Sequence, residues 1–202
     1  LSIHGCPLKK LTEAQTEAKE LIIEKVYRAV NAHSEGQLIF VQGEAGTGKT
    51  VLTTSTFYDI INRSGEFFEG NVLDCHLLVN HDQQLTVYEQ MAKKLDLGEG
   101  RVSKPTTFIN HHSPDNKVDI CFIDEGHLLL TQGKQSYQGK NQLQDIIERS
   151  RVTVIMFDEY QVLTTEEYWE EGVLSVFKET AISQGNYIKL ANQLRMNCGD
   201  ST

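Results

Sequence analysis

The amino-acid sequence predicts an α/β fold in three layers, α/β/α, with a central, mainly parallel sheet. Two observations support this prediction. Short apolar segments alternate with segments of helical periodicity along the 202 residues, an order typical of parallel sheets with helices on both faces. A glycine-rich loop joins the first apolar segment to the helix after it, and such folds gather their ligand chemistry at the carboxyl ends of parallel strands.

The first third of the chain predicts a helix, a strand and a second helix. Residues 11–32 show apolar side chains at helical spacing, namely Ala18, Leu21, Ile22, Val26, Ala29 and Val30. An amphipathic helix therefore precedes the sheet. Residues 37–41 form a short apolar run and predict the first strand. Residues 50–61 contain neither glycine nor proline and suit a helix whose N-terminus faces the loop.

The middle of the chain predicts two further strands, because residues 72–79 and 118–123 are mainly apolar segments of suitable length. Between them, residues 84–95 predict a helix that ends before two glycines. Its apolar face consists of Leu85, Tyr88, Ala92 and Leu95. Residues 111–116 and 131–139 are polar and predict loops.

The last third of the chain continues the alternation. We expect helices over residues 142–149 and 166–180, and strands over residues 152–157 and 187–190. Thr164 and Glu167 have the spacing of a capping box, which favours a helix start at this point. Residues 152–157 are rich in β-branched side chains, as is common in strands.

The composition predicts one cytosolic domain. With 39% hydrophobic residues, a chain of this length can bury one sizeable core. It has no run of about 18 apolar residues and no signal-peptide pattern, so we expect a cytosolic protein without a membrane span. The net charge of −9 argues against a broad basic surface for nucleic acid but is compatible with a local groove. Because the chain opens on leucine and stops soon after a motif, we expect residues 1–202 to be one domain of a longer protein.

The cysteines predict neither a zinc site nor a disulfide framework. Cys6, Cys75, Cys121 and Cys198 are widely spaced and form no Cys-x-x-Cys pair. We therefore expect reduced and mostly buried thiols.

Residues 43–50 match the complete phosphate-loop pattern G-x-x-x-x-G-K-[ST]. Its glycines let successive backbone N–H groups point at phosphate oxygens, Lys49 adds positive charge for the β and γ phosphates, and Thr50 offers its hydroxyl to Mg²⁺. The residues predicted to hold the nucleotide are Gly43, Glu44, Ala45, Gly46, Thr47, Gly48, Lys49, Thr50 and Val51. The sequence therefore predicts a site for a nucleoside triphosphate with Mg²⁺.

Two carboxylates, Asp124 and Glu125, follow the strand predicted at residues 118–123. Beside a phosphate loop, the first would hold Mg²⁺ through water, and the second would orient and deprotonate the attacking water. Neighbouring residues of a strand point to opposite faces, which would allow the two carboxylates different roles. A solvated acidic turn is the simpler alternative. For His127, a helix-capping or core position and a coupling role are both open.

Polar residues also follow the two last predicted strands. Gln161, close to Asp158, could sense the γ-phosphate or its attacking water, and Arg195 could stabilise charge in the transition state. The alternatives are a polar loop for Asp158 and Gln161 and a surface position for Arg195.

These motifs, in this order, resemble the first motor domain of superfamily 1 helicases, a RecA-like P-loop NTPase domain, over nearly the whole chain. The phosphate loop resembles the family's first motif, and residues 124–127 resemble the second, with Gly126 where alanine is more usual. Residues 157–161 resemble a Gly-Asp-x-x-Gln motif with Phe157 in place of glycine, and residues 192–195 resemble the fourth motif. The variant looks most like an uncharacterised bacterial branch that is often fused to nuclease-type or Schlafen-like domains.

The resemblance implies roles for individual residues. The catalytic set would be Glu125, Lys49, Gln161 and Arg195, with Thr50 and Asp124 on Mg²⁺. The N-terminal segment, residues 1–35, would contain the family's glutamine motif, in which Gln15 reads the adenine edge of ATP. Thr12 and Gln15 also satisfy a capping box, so a purely structural role is an alternative.

The resemblance also implies partners. Residues 78–82 and 104–108 would contact single-stranded DNA or RNA, although neither segment is basic or strongly aromatic. A second motor domain outside this chain would complete the enzyme. We therefore expect slow ATP hydrolysis at best, and no unwinding, from these residues alone.

Two other classes of protein fit part of the pattern. An AAA-type or signalling ATPase shares the phosphate loop and the acidic motif, but a helical lid would follow its core, and no helix is predicted after Arg195. A nucleotide-dependent switch, which binds ATP without hydrolysing it, fits everything except the presence of Glu125.

Overall fold

The computed structural model describes residues 11–44, 46–67, 72–131, 141–164 and 171–190. In these ranges the chain forms six strands and eight helices. The strands are β1 (Gln37–Gln42), β2 (Cys75–Leu78), β3 (Val102–Ser103), β4 (Val118–Ile123), β5 (Ser150–Phe157) and β6 (Tyr187–Lys189). The helices are α1 (Glu13–Asn31), α2 (Lys49–Phe67), α3 (Asp82–Lys94), α4 (Pro105–His111), α5 (Leu128–Thr131), α6 (Gln142–Glu148), α7 (Glu159–Thr164) and α8 (Glu171–Ser183).

The six strands form one sheet in the order β3-β2-β4-β5-β1-β6. Every pair of neighbouring strands in the described sheet is parallel. Strand β5 lies between β4 and β1. The predicted α/β class with a parallel sheet is therefore confirmed.

Two hydrophobic clusters, one on each face of the sheet, make the fold three layers deep. Along β1, Ile39 and Val41 belong to the first cluster, and Leu38 and Phe40 belong to the second. This division follows from the alternation of side chains along a strand. Helices α1, α2 and α3 contribute to the first cluster, and α4, α5, α6 and α8 contribute to the second. The α/β/α layering agrees with the prediction.

Helix α1 covers the first face of the sheet through one stripe of side chains. Its buried residues are Ala18, Ile22, Val26 and Ala29, at the spacing of one helical face. The helix begins with a capping box, in which Thr12 and Gln15 each accept a hydrogen bond from the other's backbone N–H. Lys19 joins α1 to α2 through an ion pair with Asp59.

The structure differs from the sequence prediction mainly at short elements. Strand β3 has two residues and α4 has seven, too few to show a clear period in the sequence. Helix α4 starts with Pro105, which favours a first helical turn, and it includes His111, so the predicted loop at residues 111–116 begins one residue later. Strand β2 begins at Cys75 rather than at residue 72.

Two predicted features lie partly outside the described residues. Helix α8 is described from Glu171 and ends at Ser183 rather than at residue 180. Glu167 of the predicted capping box and residues 132–140, which include most of the predicted loop at 131–139, lie outside the described ranges.

Two expectations from composition concern the cysteines and the membrane. Cys75 and Cys121 are free and buried, as predicted, and burial raises the pKa of both thiols. Cys6 and Cys198 lie outside the described residues. None of the described helices is long and apolar enough to cross a membrane.

The packing of α1 predicts a large difference between two adjacent leucine-sized side chains. Ile22 is 0% exposed and Leu21 is 39% exposed. We expect Ile22→Ala to lower the free energy of unfolding by about 2–5 kcal/mol, because the substitution leaves a cavity against the sheet. The matched control Leu21→Ala should cost less than about 1 kcal/mol. Urea denaturation measures both, and equal losses would contradict the docking of α1 on the sheet.

Candidate nucleotide-binding site

The candidate site lies at the carboxyl ends of three neighbouring strands. Because β5 lies between β4 and β1, the segments that leave these strands meet at one edge of the sheet. The phosphate loop follows β1, the turn with Asp124 and Glu125 follows β4, and α7 with Gln161 follows β5. The fold thus brings the first three sequence motifs together.

The end of β5 holds the loops of both neighbouring strands. The N–H of Gly43 donates to the carbonyl oxygen of Phe157 (3.0 Å), and the N–H of Gly126 donates to the carbonyl oxygen of Met156 (2.8 Å). The two acceptors are consecutive residues. The start of the phosphate loop and the acidic turn are therefore fixed at adjacent positions.

The phosphate loop requires glycine at two positions. Gly46 and Gly48 have φ angles of +83° and +79°, in the left-handed region that other residues rarely adopt. A Cβ atom at Gly48 would lie 1.9 Å from Nε2 of Gln15. Within the loop, Thr47 Oγ1 donates to the carbonyl oxygen of Glu44 (2.7 Å). Such a tight curve before a helix N-terminus fits a phosphate group.

Lys49 folds back over the loop. Its Nζ donates to the carbonyl oxygens of Gly43 (2.7 Å) and Glu44 (2.9 Å). Burial lowers the pKa of Lys49, and the charges of Asp158 and Asp124 oppose this shift. The ammonium group of Lys49 is therefore hydrogen-bonded to the loop and attracted by carboxylates at the ends of β4 and β5.

Asp124 is the centre of the polar network and is 1% exposed. Its Oδ2 accepts hydrogen bonds from the hydroxyls of Thr50 (3.1 Å) and Tyr88 (2.9 Å). Its Oδ1 accepts a hydrogen bond from the backbone N–H of Glu125 (3.0 Å). Burial raises the pKa of Asp124, and these hydrogen bonds oppose the rise.

The Thr50 hydroxyl and the Asp124 carboxylate fit a hard divalent cation. Mg²⁺ prefers oxygen ligands and usually takes only one or two from the protein, while water and substrate phosphates supply the rest. In the described part of the chain, no group of three or more His, Cys, Asp or Glu side chains could hold a metal ion. With Thr50 and Asp124 as its protein oxygens, the site suits a Mg²⁺ whose other ligands are water and phosphate.

Strand alternation, which the sequence predicts for Asp124 and Glu125, is not what directs these two carboxylates differently. Strand β4 ends at Ile123, so Asp124 and Glu125 do not alternate along a strand. Instead, Glu125 has a φ of +50°, a left-handed conformation that costs a non-glycine residue roughly 1–2 kcal/mol. The turn leaves Glu125 about one-third exposed, and burial, reinforced by the charge of Asp124, raises its pKa.

Gly126, which stands where the resemblance predicts alanine, is required by close packing. A Cβ atom at this position would lie 2.3 Å from Cγ1 of Ile155 and 3.2 Å from the carbonyl oxygen of Met156. Ile155 is fully buried, so it has little room to move. The departure from the usual motif therefore brings the acidic turn closer to β5.

His127 has features of both predicted alternatives. It is buried, and its ring makes an edge contact with Phe157 at a centroid distance of 6.1 Å. It also hydrogen-bonds the side chain of Gln161, which links the second motif to the third. Burial lowers the pKa of His127.

The motif at residues 157–161, which resembles Gly-Asp-x-x-Gln, combines a core residue with a buried carboxylate. Phe157 packs against Phe40 with ring centroids 5.1 Å apart, so the phenylalanine that replaces glycine belongs to the core. Asp158 is 1% exposed, and its Oδ1 accepts a hydrogen bond from the N–H of Tyr160 (3.1 Å). Its buried Oδ2 has no hydrogen-bond partner among the described residues.

Gln15 contacts the phosphate loop as well as its own helix cap. Its Nε2 donates to the carbonyl oxygen of Thr47 (2.9 Å), and its Oε1 accepts from the N–H of Thr12 (2.9 Å). The structural alternative, a capping box, is therefore present. Adenine recognition by Gln15 stays a prediction.

For the remaining predicted site residues, the structure gives only their exposure or does not describe them. Val51 lies half-buried in the first turn of α2, and Glu44 is exposed. Ala45 and Arg195 lie outside the described residues. Their roles stay predictions.

The two segments predicted to contact nucleic acid lie next to each other. Residues 78–82 follow β2 and residues 104–108 follow β3, and these strands are paired. An ion pair between Lys104 and Asp82 joins the segments. Both side chains are at least one-third exposed, so the pair contributes little to stability.

Sequence reasoning missed three residues that lie against the acidic turn, namely His81 at the N-cap of α3 and Gln84 and Tyr88 within the helix. Tyr88 lies on the apolar face that the helical pattern predicts, and this pattern gives no sign of its hydroxyl. Burial and the neighbouring charge of Asp124 raise the pKa of this hydroxyl, which therefore stays a hydrogen-bond donor. The spacing i, i+3, i+7, which places all three residues on one face, was the available signal.

Comparison with known proteins gives one match to a family model. The model describes the Schlafen group 3 DNA/RNA helicase domain, and it matches residues 36–202. An uncharacterized protein of Saccharomyces cerevisiae is 30% identical over 143 residues, which are 67% of this chain and 32% of that protein. The chain thus spans about a third of the length of this curated relative.

Several solved structures are similar in part. AMPPCP-bound DnaA from Aquifex aeolicus has a TM-score of 0.47 and 12% identity, over 94% of this chain and 51% of the other. The flagellar accessory protein FlaH from Methanocaldococcus jannaschii has a TM-score of 0.45 and 12% identity, over 73% and 69%. The Pif1 helicase from Candida albicans has a TM-score of 0.42 and 18% identity, over 91% and 40%.

The close packing at Gly126 predicts that the usual alanine is not tolerated. We expect Gly126→Ala to lower the free energy of unfolding by about 1–3 kcal/mol, because the new methyl group overlaps Ile155. Gly65, inside α2, is a matched control, since a Cβ atom there would meet no atom within 4 Å. Gly65→Ala should be neutral or stabilising by up to about 1 kcal/mol. If urea denaturation gives the same result for both variants, the packing argument is wrong.

The buried carboxylate of Asp124 predicts a pH-dependent effect in the absence of Mg²⁺. Its folded-state pKa is raised, so wild-type stability falls as pH rises from the ordinary aspartate pKa through the folded-state value. Asp124→Asn removes this titration. The variant's free energy of unfolding, relative to wild type, should therefore rise between pH 4 and pH 7.

Chemical denaturation in the presence of a chelator measures the effect of Asp124→Asn. Gly65→Ala serves as the control, since it changes no titrating group and its effect should be the same at both pH values. A pH-independent difference for Asp124→Asn would contradict the raised pKa.

Proposed function

The chain belongs to the Schlafen group 3 DNA/RNA helicase domain family, and from this premise we propose that it binds ATP with Mg²⁺ and hydrolyses it as a motor domain. The hydrogen bond between Thr50 and the buried Asp124 (3.1 Å) carries this proposal. It joins the end of the phosphate loop to the acidic turn, with Glu125 directly beside them. An ATPase needs these three groups at one place.

Phosphate binding is assigned to the loop and to Lys49. The backbone N–H groups before α2 and the positive end of that helix would receive the β and γ phosphates. Lys49 would exchange its bonds to the carbonyl oxygens of Gly43 and Glu44 for phosphate oxygens. Charge attraction to phosphate favours this exchange.

Thr50 and Asp124 would hold Mg²⁺, directly or through water. The ion would supply positive charge against the phosphate oxygens. The buried carboxylate suits this role, because burial raises its pKa and so makes a partner cation favourable.

Glu125 is the proposed general base. Its pKa is raised by burial and by the charge of Asp124, and a raised pKa brings a carboxylate closer to the range in which it accepts a proton from water. Gln161, held by His127, would sense the γ-phosphate or its attacking water. Arg195 would stabilise charge in the transition state, and Gln15 would read adenine.

The nucleic-acid partner and the wider enzyme rest on the superfamily 1 resemblance. Single-stranded DNA or RNA would contact residues 78–82 and 104–108. A second motor domain outside this chain would complete a helicase or translocase, so the 202 residues alone should turn over ATP slowly. A cytosolic location and a place in the bacterial branch of superfamily 1 stay predictions.

Substitution of Glu125 tests the proposal. In the full-length protein, Glu125→Gln should lower ATP turnover by about 100-fold or more while ATP binding is retained, because the variant loses the base but keeps the phosphate loop. Lys49→Ala should lose both binding and turnover. Steady-state hydrolysis, measured with and without single-stranded DNA or RNA, and titration with ATP report the two effects.

An exposed glutamate of α3, Glu89, provides the control, and Glu89→Gln should match wild type. Stimulation by nucleic acid that Lys49→Ala abolishes would support a motor. ATP binding by wild type without turnover in either condition would contradict the ATPase proposal and favour a nucleotide-dependent switch.

A further inference from the structure

One face of α3 contacts both carboxylates of the acidic turn. His81 stands at the N-cap position of the helix, and Gln84 and Tyr88 follow at the next two positions of the same face. This spacing, i, i+3 and i+7, places three polar side chains in one line. Through these residues α3 places polar side chains beside both Asp124 and Glu125.

Tyr88 reaches Asp124 from within the core. It is 5% exposed and belongs to the first hydrophobic cluster. Its hydroxyl donates to Oδ2 of Asp124 (2.9 Å), the oxygen that also accepts from Thr50. Because the ring is packed and the hydroxyl is bonded, Tyr88 limits the rotation of the carboxylate about its side-chain torsion.

Gln84 and His81 contact the second carboxylate. The half-buried Gln84 side chain lies beside Glu125 and opposes the rise in the pKa of that carboxylate, and its Oε1 is buried without a hydrogen-bond partner among the described residues. An amide at this position has N–H groups to offer the carboxylate. His81 Nε2 lies 4.0 Å from a carboxylate oxygen of Glu125.

We propose that this face of α3 is the positioning surface of the active site, in which Tyr88 sets the carboxylate that serves Mg²⁺ and Gln84 sets the carboxylate that serves water. The inference rests on the proposed ATPase function and deepens it. Tyr88 and Gln84 are positioning residues, since each acts through a carboxylate and not on the substrate. Hydrogen bonds to a metal-binding carboxylate commonly change metal affinity or activity by about 10–100-fold.

The two residues should affect different steps. Tyr88→Phe keeps the packed ring and removes only the hydroxyl, so it should raise the Mg²⁺ concentration for half-maximal ATP hydrolysis about tenfold. Gln84→Met keeps the length of the side chain and removes the amide. It should lower kcat about tenfold at saturating Mg²⁺ and leave the Mg²⁺ midpoint unchanged.

The experiment titrates the full-length protein with Mg²⁺ at fixed ATP and measures ATP binding with a chelator present. Tyr58, which packs partly buried against the same cluster, gives the control Tyr58→Phe. Gln83→Met, an exposed neighbour on α3, is the control for the amide. Both controls should match wild type in midpoint and in kcat.

The outcomes separate this inference from the proposed function. The positioning surface is supported if Tyr88→Phe raises the Mg²⁺ midpoint and Gln84→Met lowers kcat. If wild type and both variants share one midpoint and one kcat, the inference is wrong while the ATPase stands. The inference is also wrong if both variants are destabilised and show the same changes in the Mg²⁺ midpoint and in kcat, because such changes indicate a structural role alone. Absence of ATP binding in wild type overturns the proposed function and the inference with it.

Discussion

The burial of one carboxylate is the constraint on which the rest of the site depends. Asp124 is almost completely removed from solvent, and a buried charge is costly unless it is hydrogen-bonded and paired. Three donors offset this cost, from Thr50 on α2, Tyr88 on α3 and the backbone of Glu125. Since these donors lie on α2, on α3 and in the acidic turn, the stabilisation of the charged carboxylate depends on how the three segments pack together.

The end of β5 provides the rigid support for this network. Two consecutive carbonyl groups, of Met156 and Phe157, accept hydrogen bonds from Gly126 and Gly43. The phosphate loop and the acidic turn are thus fixed to one strand rather than only to each other. The missing side chain of Gly126 allows the turn to approach Ile155, and Phe157 fills the core behind it. Two residues that depart from the helicase motif therefore serve the packing of this variant of the fold.

The sequence was most informative where function is local in the chain. The phosphate loop and the pair Asp124 and Glu125 are contiguous patterns, and strand alternation gave the α/β class. The sequence was least informative about contacts between residues that are far apart in the chain. The bond from Tyr88 to Asp124 joins residues 36 positions apart, and an apolar helical face conceals a hydroxyl. The left-handed turn at Glu125 was also missed, because residue type alone favours glycine or asparagine for such a conformation. Strand β3 has too few residues to produce a period.

The two buried thiols can report local unfolding of the sheet. Cys75 lies on β2, and Cys121 lies on β4, the neighbouring strand. Thiol reagents react with the thiolate, and here both access and ionisation are suppressed by burial. Alkylation of these two residues must therefore wait for the strands to separate from the helices above them. The rate of labelling would record the opening of this part of the sheet, without the need to introduce a probe.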